Sequence, residues 1–312
     1  MTKVTVIIPN YNHGSYLRER IESVINQTFR DIELILIDDC STDNSREIIQ
    51  AYERHPLVRF VFYMDYNTGS PYSQWPVALK VANAEWIWVA ESDDLAEPDF
   101  LEKLYSLALR DEKTSLVYCD SLISGGSGLN AFRKYSTLKN ERYQVKKWDH
   151  YYQQDGKAEL NECLKKDCTI NNVSAVLFRK SWARDVMDNI DGFRFHGDWM
   201  FYICMAQKGQ IIYIPEALNH YREHAANHSK AVTGDHFNKP ECFRILDYLL
   251  KQPFINDKKQ LIRHFTKEYI GFGFRKGKPF SSKGLYRLYR KINPVLARKV
   301  LLQLIKSKIF PG

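Results

Sequence analysis

The 312-residue chain contains no G-x-G-x-x-G and no G-x-x-x-x-G-K-[ST] segment. The main sequence signals of a dinucleotide-binding Rossmann domain and of a P-loop NTPase are therefore missing, and a diphosphate would have to be held without a glycine-rich phosphate loop. No run of 18 or more apolar residues occurs, so no membrane span is expected. The opening Met-Thr-Lys-Val-Thr-Val-Ile-Ile-Pro lacks the apolar stretch of a signal peptide. The six cysteines offer no two pairs at zinc spacing: Cys163-x₄-Cys168 stands alone, and free thiols in a reducing compartment are expected. Acidic residues are missing from 275–312, which hold eleven Lys or Arg. The formal charge of +8 is thus local, because residues 1–274 carry 34 basic and 37 acidic groups, a net −3. With no zinc-finger, helix-turn-helix or basic-zipper spacing, binding to nucleic acid is not expected. The 44% hydrophobic and 26% charged content suits a globular chain long enough to bury a sizeable core.

What is present begins as an alternation of strand and helix signals. Short β-branched or apolar runs at 4–8, 32–37, 58–63, 85–90 and 115–120 predict strands. Between them, Leu17, Ile21, Val24 and Ile25 follow helical spacing behind Ser15 as a candidate cap. Ser41, Thr42 and Asp43 can cap a helix reaching about Tyr52, and helices are expected within 72–83 and 95–110, with Pro98 in the first turn of the latter. Such alternation predicts a largely parallel sheet covered on both faces. Residues 121–160 are polar and aromatic without clear period, and read as a long excursion over the active-site side, with room for a short helix, around the flexible turn Gly125-Gly126-Ser127-Gly128. Further strands are expected at 173–178, 211–214 and 218–221, and helices near 180–190, at 198–208 and over 236–272. In the basic tail, apolar residues recur at three- and four-residue steps, interrupted by Pro294. Two short amphipathic helices are expected there. They could lie on an anionic membrane, each basic residue contributing about 1 kcal/mol near the surface, or pack on the catalytic domain.

Chemistry concentrates where strands end. Glu91-Ser92-Asp93-Asp94 follows the apolar run Trp86-Ile87-Trp88-Val89-Ala90. Three carboxylates this close repel one another unless a cation or strong donors compensate, and Mg²⁺ or Mn²⁺ shared with phosphate oxygens would do so. A solvated acidic turn opening the next helix is the competing reading. The first strand ends Pro9-Asn10-Tyr11-Asn12-His13 and the second Asp38-Asp39-Cys40-Ser41-Thr42-Asp43. Parallel neighbours would bring both clusters to the rim that carries the acids, where open α/β sheets bind ligands. An aspartate there can accept hydrogen bonds from a nucleobase edge or a ribose hydroxyl, and Tyr11 can stack on a base. Asp43 reads first as a helix cap.

Taken in order, Pro9-Asn10-Tyr11-Asn12, Tyr16-Leu17, Ser23-Val24, Gln27-Thr28, Asp38-Asp39-x-Ser41-Thr42-Asp43 and Glu91-Ser92-Asp93-Asp94 resemble the family 2 nucleotide-sugar glycosyltransferases, over roughly residues 1–225. The resemblance implies an α/β GT-A fold, a mostly parallel central sheet with helices on both faces, over residues 1–228. Residues 1–120 would form the nucleotide-sugar half and 121–228 the acceptor half, followed by a helical extension at 229–274 and the basic amphipathic tail at 275–312. It implies transfer, with inversion, of a sugar from a nucleotide sugar to a hydroxyl of a glycan or lipid-linked acceptor in cell-surface polysaccharide synthesis. UDP is the nucleotide favoured by family frequency, and the expected setting is the cytoplasm, with the tail as a peripheral contact to the inner face of the membrane. The alternative is a non-catalytic sugar-nucleotide-binding relative.

The same resemblance implies roles. Pro9, Tyr11 and Asp39 would line the base pocket, Asp38 would hold that rim, and Asn12 and Ser92 would join the nucleotide site. Asn67 and Gly69 resemble the loop flanking the nucleotide. Asp93 matches the metal-binding acid of the D-x-D motif, with Asp94 assisting. Glu91 stands where the family has the first Asp. Asp198 matches the general base, but Gly197 replaces the Glu that usually precedes it. His224 in Tyr221-Arg222-Glu223-His224 resembles a His that completes the metal shell, support that His13, His220 and His228 lack. Gln74-Trp75-Pro76-Val77 stands where many relatives have Ala-Arg-Asn, which leaves the diphosphate without an assigned Arg and Gln74 or Lys80 as candidates.

Overall fold

The computed structural model describes residues 2–124, 133–224, 235–270 and 282–309. Its strands are β1 (Val4–Asn10), β2 (Ile32–Asp38), β3 (Val58–Tyr63), β4 (Trp86–Val89), β5 (Leu95–Ala96), β6 (Thr114–Ser124), β7 (Arg133–Lys134), β8 (Tyr152–Asp155), β9 (Val176–Arg179) and β10 (Gln210–Arg222). The longer helices are α1 (Gly14–Ile25), α2 (Ser45–Tyr52), α3 (Trp75–Val81), α4 (Phe100–Ala108), α5 (Tyr135–Tyr143), α6 (Gly197–Ala206), α7 (Asp235–Lys251), α8 (Lys258–Glu268), α9 (Ser282–Ile292) and α10 (Pro294–Ile309).

These strands form one mixed sheet in the order β3-β2-β1-β4-β9-β6-β10-β5, with β7 added beside β6 and β8 beside β10. β1 runs parallel to β2 and β4, and β2 parallel to β3. Every residue of β1, β2 and β4 is buried, which is why these segments are continuously apolar instead of alternating. One apolar cluster packs Leu17, Ile21 and Val24 of α1, Ile48 and Ile49 of α2 and Leu101 and Leu104 of α4 against one face. A second covers the other face with Trp75, Phe201 and Tyr202 and continues into the C-terminal helices through Phe243, Leu246, Leu261 and Phe265. Each fully buried aliphatic or aromatic side chain contributes about 1.5–3 kcal/mol, so the extension adds to the same core.

Several elements differ from the sequence reading. Residues 211–214 and 218–221 belong to one strand, β10, whose pairing with β6 shifts register between Ile214 and Asn219. A 3₁₀ turn at Val173–Ala175 precedes β9. The 236–272 segment breaks into α7 and α8. Leu95 enters β5, so Pro98 precedes α4. Helix α1 starts one residue before Ser15, and α2 is preceded by Asn44. The excursion at 121–160 is structured by β7, α5 and β8 where it is described, and Gly125-Gly126-Ser127-Gly128 lies outside the described residues. All six cysteines are free thiols.

The tail forms two helices broken at Pro294, as the spacing predicts, but much of their apolar stripe is core. Tyr289 stacks on Phe243 at 4.3 Å between ring centroids and donates to the Ile270 carbonyl at 3.2 Å. Leu296, Ala297 and Val300 are buried, and Asn293 Nδ2 donates to Asp247 Oδ1 at 2.6 Å. Ile292, Val295, Leu302 and Ile305 remain exposed. No helix among the described residues is long and apolar enough to cross a membrane.

Candidate active site

Parallel pairing brings Asn10, at the end of β1, opposite Asp38, at the end of β2. Asn10 Nδ2 donates to Asp38 Oδ1 at 3.2 Å and to Ser41 Oγ at 3.1 Å, while Asp38 Oδ2 accepts from the Ser41 N–H (3.1 Å) and from Arg46 Nε (3.0 Å). Asp38 is thus a fully buried strut of the rim. Asn12 adopts φ +56°, a conformation Asn tolerates better than most residues. Its Oδ1 accepts from the Thr42 N–H at 2.7 Å, locking the two loops together. Asp39, also buried, accepts from the Thr68 N–H and, at 2.9 Å, from Thr68 Oγ1. Burial holds its carboxyl above the usual carboxylate range. Pro9 is buried within β1, whereas Tyr11 is exposed at the mouth. Asn67 Oδ1 accepts from the Gly69 N–H, and Gly69 takes φ +68°, which favours glycine.

The acids at 91–94 lie between β4 and β5. Because β5 pairs antiparallel with Asn219 and His220 of β10, the end of β10 is drawn over the acidic run. That pairing explains how residues 222–224 reach it. His224 Nε2 stands 3.1 Å from Asp93 Oδ2. Asp94 Oδ1 accepts from the Arg222 N–H at 3.2 Å and Oδ2 from Asn172 Nδ2 at 2.9 Å. The Glu91 N–H donates to Ser174 Oγ at 3.0 Å. One oxygen from each of Glu91, Asp93 and Asp94 lies within 4.8 Å of the others. Burial, and then the charges of its neighbours, raise Glu91 well above the ordinary value and push Asp94 up to about 6. Like charges crowded out of water behave this way, and a divalent cation would relieve the crowding. The donor set fits a hard or borderline ion.

Gly197 and Asp198 open α6. Asp198 is half-buried; its Oδ1 accepts from the Trp199 N–H at 2.7 Å and stands 3.3 Å from the Tyr72 hydroxyl, which also lies 3.1 Å from the Phe195 carbonyl. Burial raises its pKa above the ordinary value, and its charge adds to the burial and the Asp93 and Asp94 charges that raise Glu91. A Cβ at Gly197 would stand 2.5 Å from Tyr72 Cδ2. The Gly197 departure and the 70–78 departure are therefore one feature: Tyr72 occupies the room a side chain at 197 would need and supports Asp198 by its hydroxyl. The loop before α6 is held from α7, where the Glu241 carboxylate accepts from the N–H groups of Arg194 (2.7 Å), Phe195 (3.0 Å) and His196 (2.9 Å).

Sequence reasoning missed Tyr72, Glu241, Arg20 and Arg194, and set His13 aside. Arg20 is fully buried on α1 at a core spacing shared with Leu17 and Val24. Its Nε donates to the Glu91 carbonyl at 2.8 Å, and burial lowers its pKa to about 10 despite the charges of Asp94 and Asp93. Arg194 has its guanidinium carbon 3.9 Å from where a Cβ of Gly69 would stand. His13 Nδ1 lies 2.8 Å from Ser92 Oγ. Trp75 packs on Phe178 and Phe201 in the core, Gln74 is buried and Lys80 is exposed. His220 pairs with Glu97, and His228 lies outside the described residues.

Comparison with known proteins agrees with this architecture. The poly(ribitol-phosphate) beta-N-acetylglucosaminyltransferase TarP of Staphylococcus aureus is 40% identical over 108 residues, 34% of this chain and 33% of TarP. The chain spans about a third of the length of TarP and of other curated relatives it matches. Among solved structures, S. aureus TarS 1-349 in complex with UDP-GlcNAc aligns with a TM-score of 0.65 at 18% identity, covering 85% of this chain and 71% of that one. The mannosyltransferase PcManGT of Pyrobaculum calidifontis, in complex with GDP-Man and Mn²⁺, aligns at 0.50 and 18% identity over 98% and 75%. These likenesses share the fold. The model of Glycosyl transferase family 2 matches residues 5–187, more than half of the chain. The chain belongs to glycosyl transferase family 2.

Proposed function

We propose that the protein is an inverting glycosyltransferase that moves a sugar from a nucleotide diphosphate sugar, a UDP-sugar in the first instance, to a hydroxyl of a glycan or lipid-linked acceptor of a cell-surface polysaccharide. The observation that carries the reading is the meeting of Asp93 with His224 at 3.1 Å, flanked by Glu91 and Asp94. The relatives TarP and TarS, by name or bound ligand, work with N-acetylglucosamine, and PcManGT carries Mn²⁺ with its nucleotide sugar.

In this reading Asp39 and the backbone around Pro9 receive the base, Tyr11 closes over it, Asn12 and Ser92 shape the nucleotide site, and the Asn67–Gly69 turn lets the donor pass close to backbone. Arg194, beside Gly69, supplies the cation toward the diphosphate that the 70–78 segment lacks. Asp93 and His224, with Asp94 in support, would hold Mn²⁺ or Mg²⁺, and Glu91 would serve the ribose or the ion. The ion supplies charge neutralisation for the departing nucleoside diphosphate. Asp198, raised in pKa by burial and oriented by Tyr72, takes the proton of the acceptor hydroxyl as that oxygen attacks the anomeric carbon from the face opposite the leaving group. The exposed strip Ile292, Val295, Leu302 and Ile305, interleaved with exposed Arg298 and Lys299, is a peripheral contact to an anionic membrane surface.

A thermal-shift panel of nucleotide sugars with and without Mn²⁺ tests the donor assignment. A UDP-sugar should raise Tm most, and only with the metal present. Stabilisation by no nucleotide sugar under either condition would contradict it.

A further inference from the structure

The family pattern gives the ion one acid and one histidine from the chain, but a second imidazole stands beside them here. The turn from β1 into α1 passes through Asn12 at φ +56° and leaves His13 as the residue that opens the helix. Its ring lies edge-on to that of His224, with centroids 5.6 Å apart, and the His224 ring is stacked on Tyr16 at 4.6 Å. One ligand atom from each of His13, Asp93 and His224 lies within 4.8 Å of the other two. Ligands about 2.1 Å from a common ion stand about 3.0–3.4 Å apart at cis or tetrahedral angles and about 4.2 Å apart when trans, so side-chain movements of no more than about 2 Å close the set. The contact of His13 Nδ1 with Ser92 Oγ at 2.8 Å is the kind of outer hydrogen bond that fixes the ring of a ligating histidine and leaves its other nitrogen for the metal.

We propose that His13 is a protein ligand of the divalent ion, which is then held by two imidazoles and one carboxylate, and that this set selects Mn²⁺ over Mg²⁺. Imidazole suits first-row transition ions, whereas oxygen ligands and water suit Mg²⁺. A second nitrogen therefore strengthens the former more than the latter. Ser92 is a positioning residue for His13. The inference rests on the metal-dependent reading above and deepens it.

Pulsed electron paramagnetic resonance on the full chain loaded with Mn²⁺ counts coordinated imidazoles directly, without turnover. Nitrogen modulation from two imidazoles is expected in the unaltered protein and from one in His13→Ala. Isothermal titration should show His13→Ala losing about tenfold or more in Mn²⁺ affinity, with Mg²⁺ affinity changed much less. Mn²⁺ bound through one imidazole in the unaltered protein overturns the role of His13 and leaves the metal-dependent reading standing. Failure to bind Mn²⁺ at all, with or without UDP, overturns both. Because the unaltered spectrum is decisive, the test survives a variant that does not fold.

Discussion

Asp198, the proposed base, is a single side chain whose surroundings pull its protonation in opposite directions. Burial lifts its carboxyl above the ordinary range, while His196, the Trp199 N–H and then the Tyr72 hydroxyl pull it back down. A general base at Asp198 would work only when ionised, so in the proposed reading kcat/KM should rise with pH through that raised pKa. Tyr72→Phe deletes one of these lowering interactions, and the rise should move to higher pH with kcat reduced. Asp198→Asn should cost about 10²–10⁴-fold in kcat while UDP affinity is retained. A pH–rate profile of Tyr72→Phe that overlays the parent would remove Tyr72 from the site. The place of Asp198 at a helix start was legible in the sequence because a helix opening is a local signal, whereas its reading as a base rested on resemblance. Tyr72 was not legible, because its partner lies 126 residues away and the segment carrying it departs from the family pattern. The same holds for Arg20, whose helical spacing marks it as core before it marks it as a counter-charge.

Whole elements are positioned by pairings that hydropathy announces only in part. Continuous apolar runs identified β1, β2 and β4, and their parallel order put Asn10, Asp38 and Glu91 on one rim. The two-residue β5, too short to carry a pattern, ties β10 over the acids, so the approach of His224 to Asp93 rested on resemblance alone. Helix α7, outside the matched family segment, reaches into the site through Glu241. One carboxylate accepting three consecutive backbone N–H groups resembles an anion nest, and each charge-assisted bond contributes about 1.5–3 kcal/mol. Glu241→Gln keeps the shape and loses the charge. It should loosen the 194–196 turn, lowering kcat several-fold with little change in donor KM, and lowering Tm by several degrees. Parent-like kcat and Tm in that variant would show that α7 does not hold the base.

The molecule as a whole has a mildly acidic body and a basic end. The sequence pattern located the tail helices and their break at Pro294, but could not tell a stripe facing lipid from one facing protein, since both ask for apolar residues at helical spacing. Tyr289, Leu296 and Val300 went to the core, and the face left for a membrane is the narrower strip around Val295 and Leu302. Replacing both residues with Asp should abolish sedimentation with phosphatidylglycerol-containing vesicles while leaving the fold intact by circular dichroism. Unchanged sedimentation would exclude this face.

In the proposed reading an ion would join the acidic rim to the nucleoside diphosphate. Titration calorimetry of UDP into the full chain, with Mn²⁺ and then with EDTA, tests that most directly in parallel with Asp93→Asn. Binding should weaken by at least about tenfold without the metal, and Asp93→Asn should bind equally weakly under both conditions. UDP affinity that is the same with Mn²⁺, with EDTA and in Asp93→Asn would contradict the account.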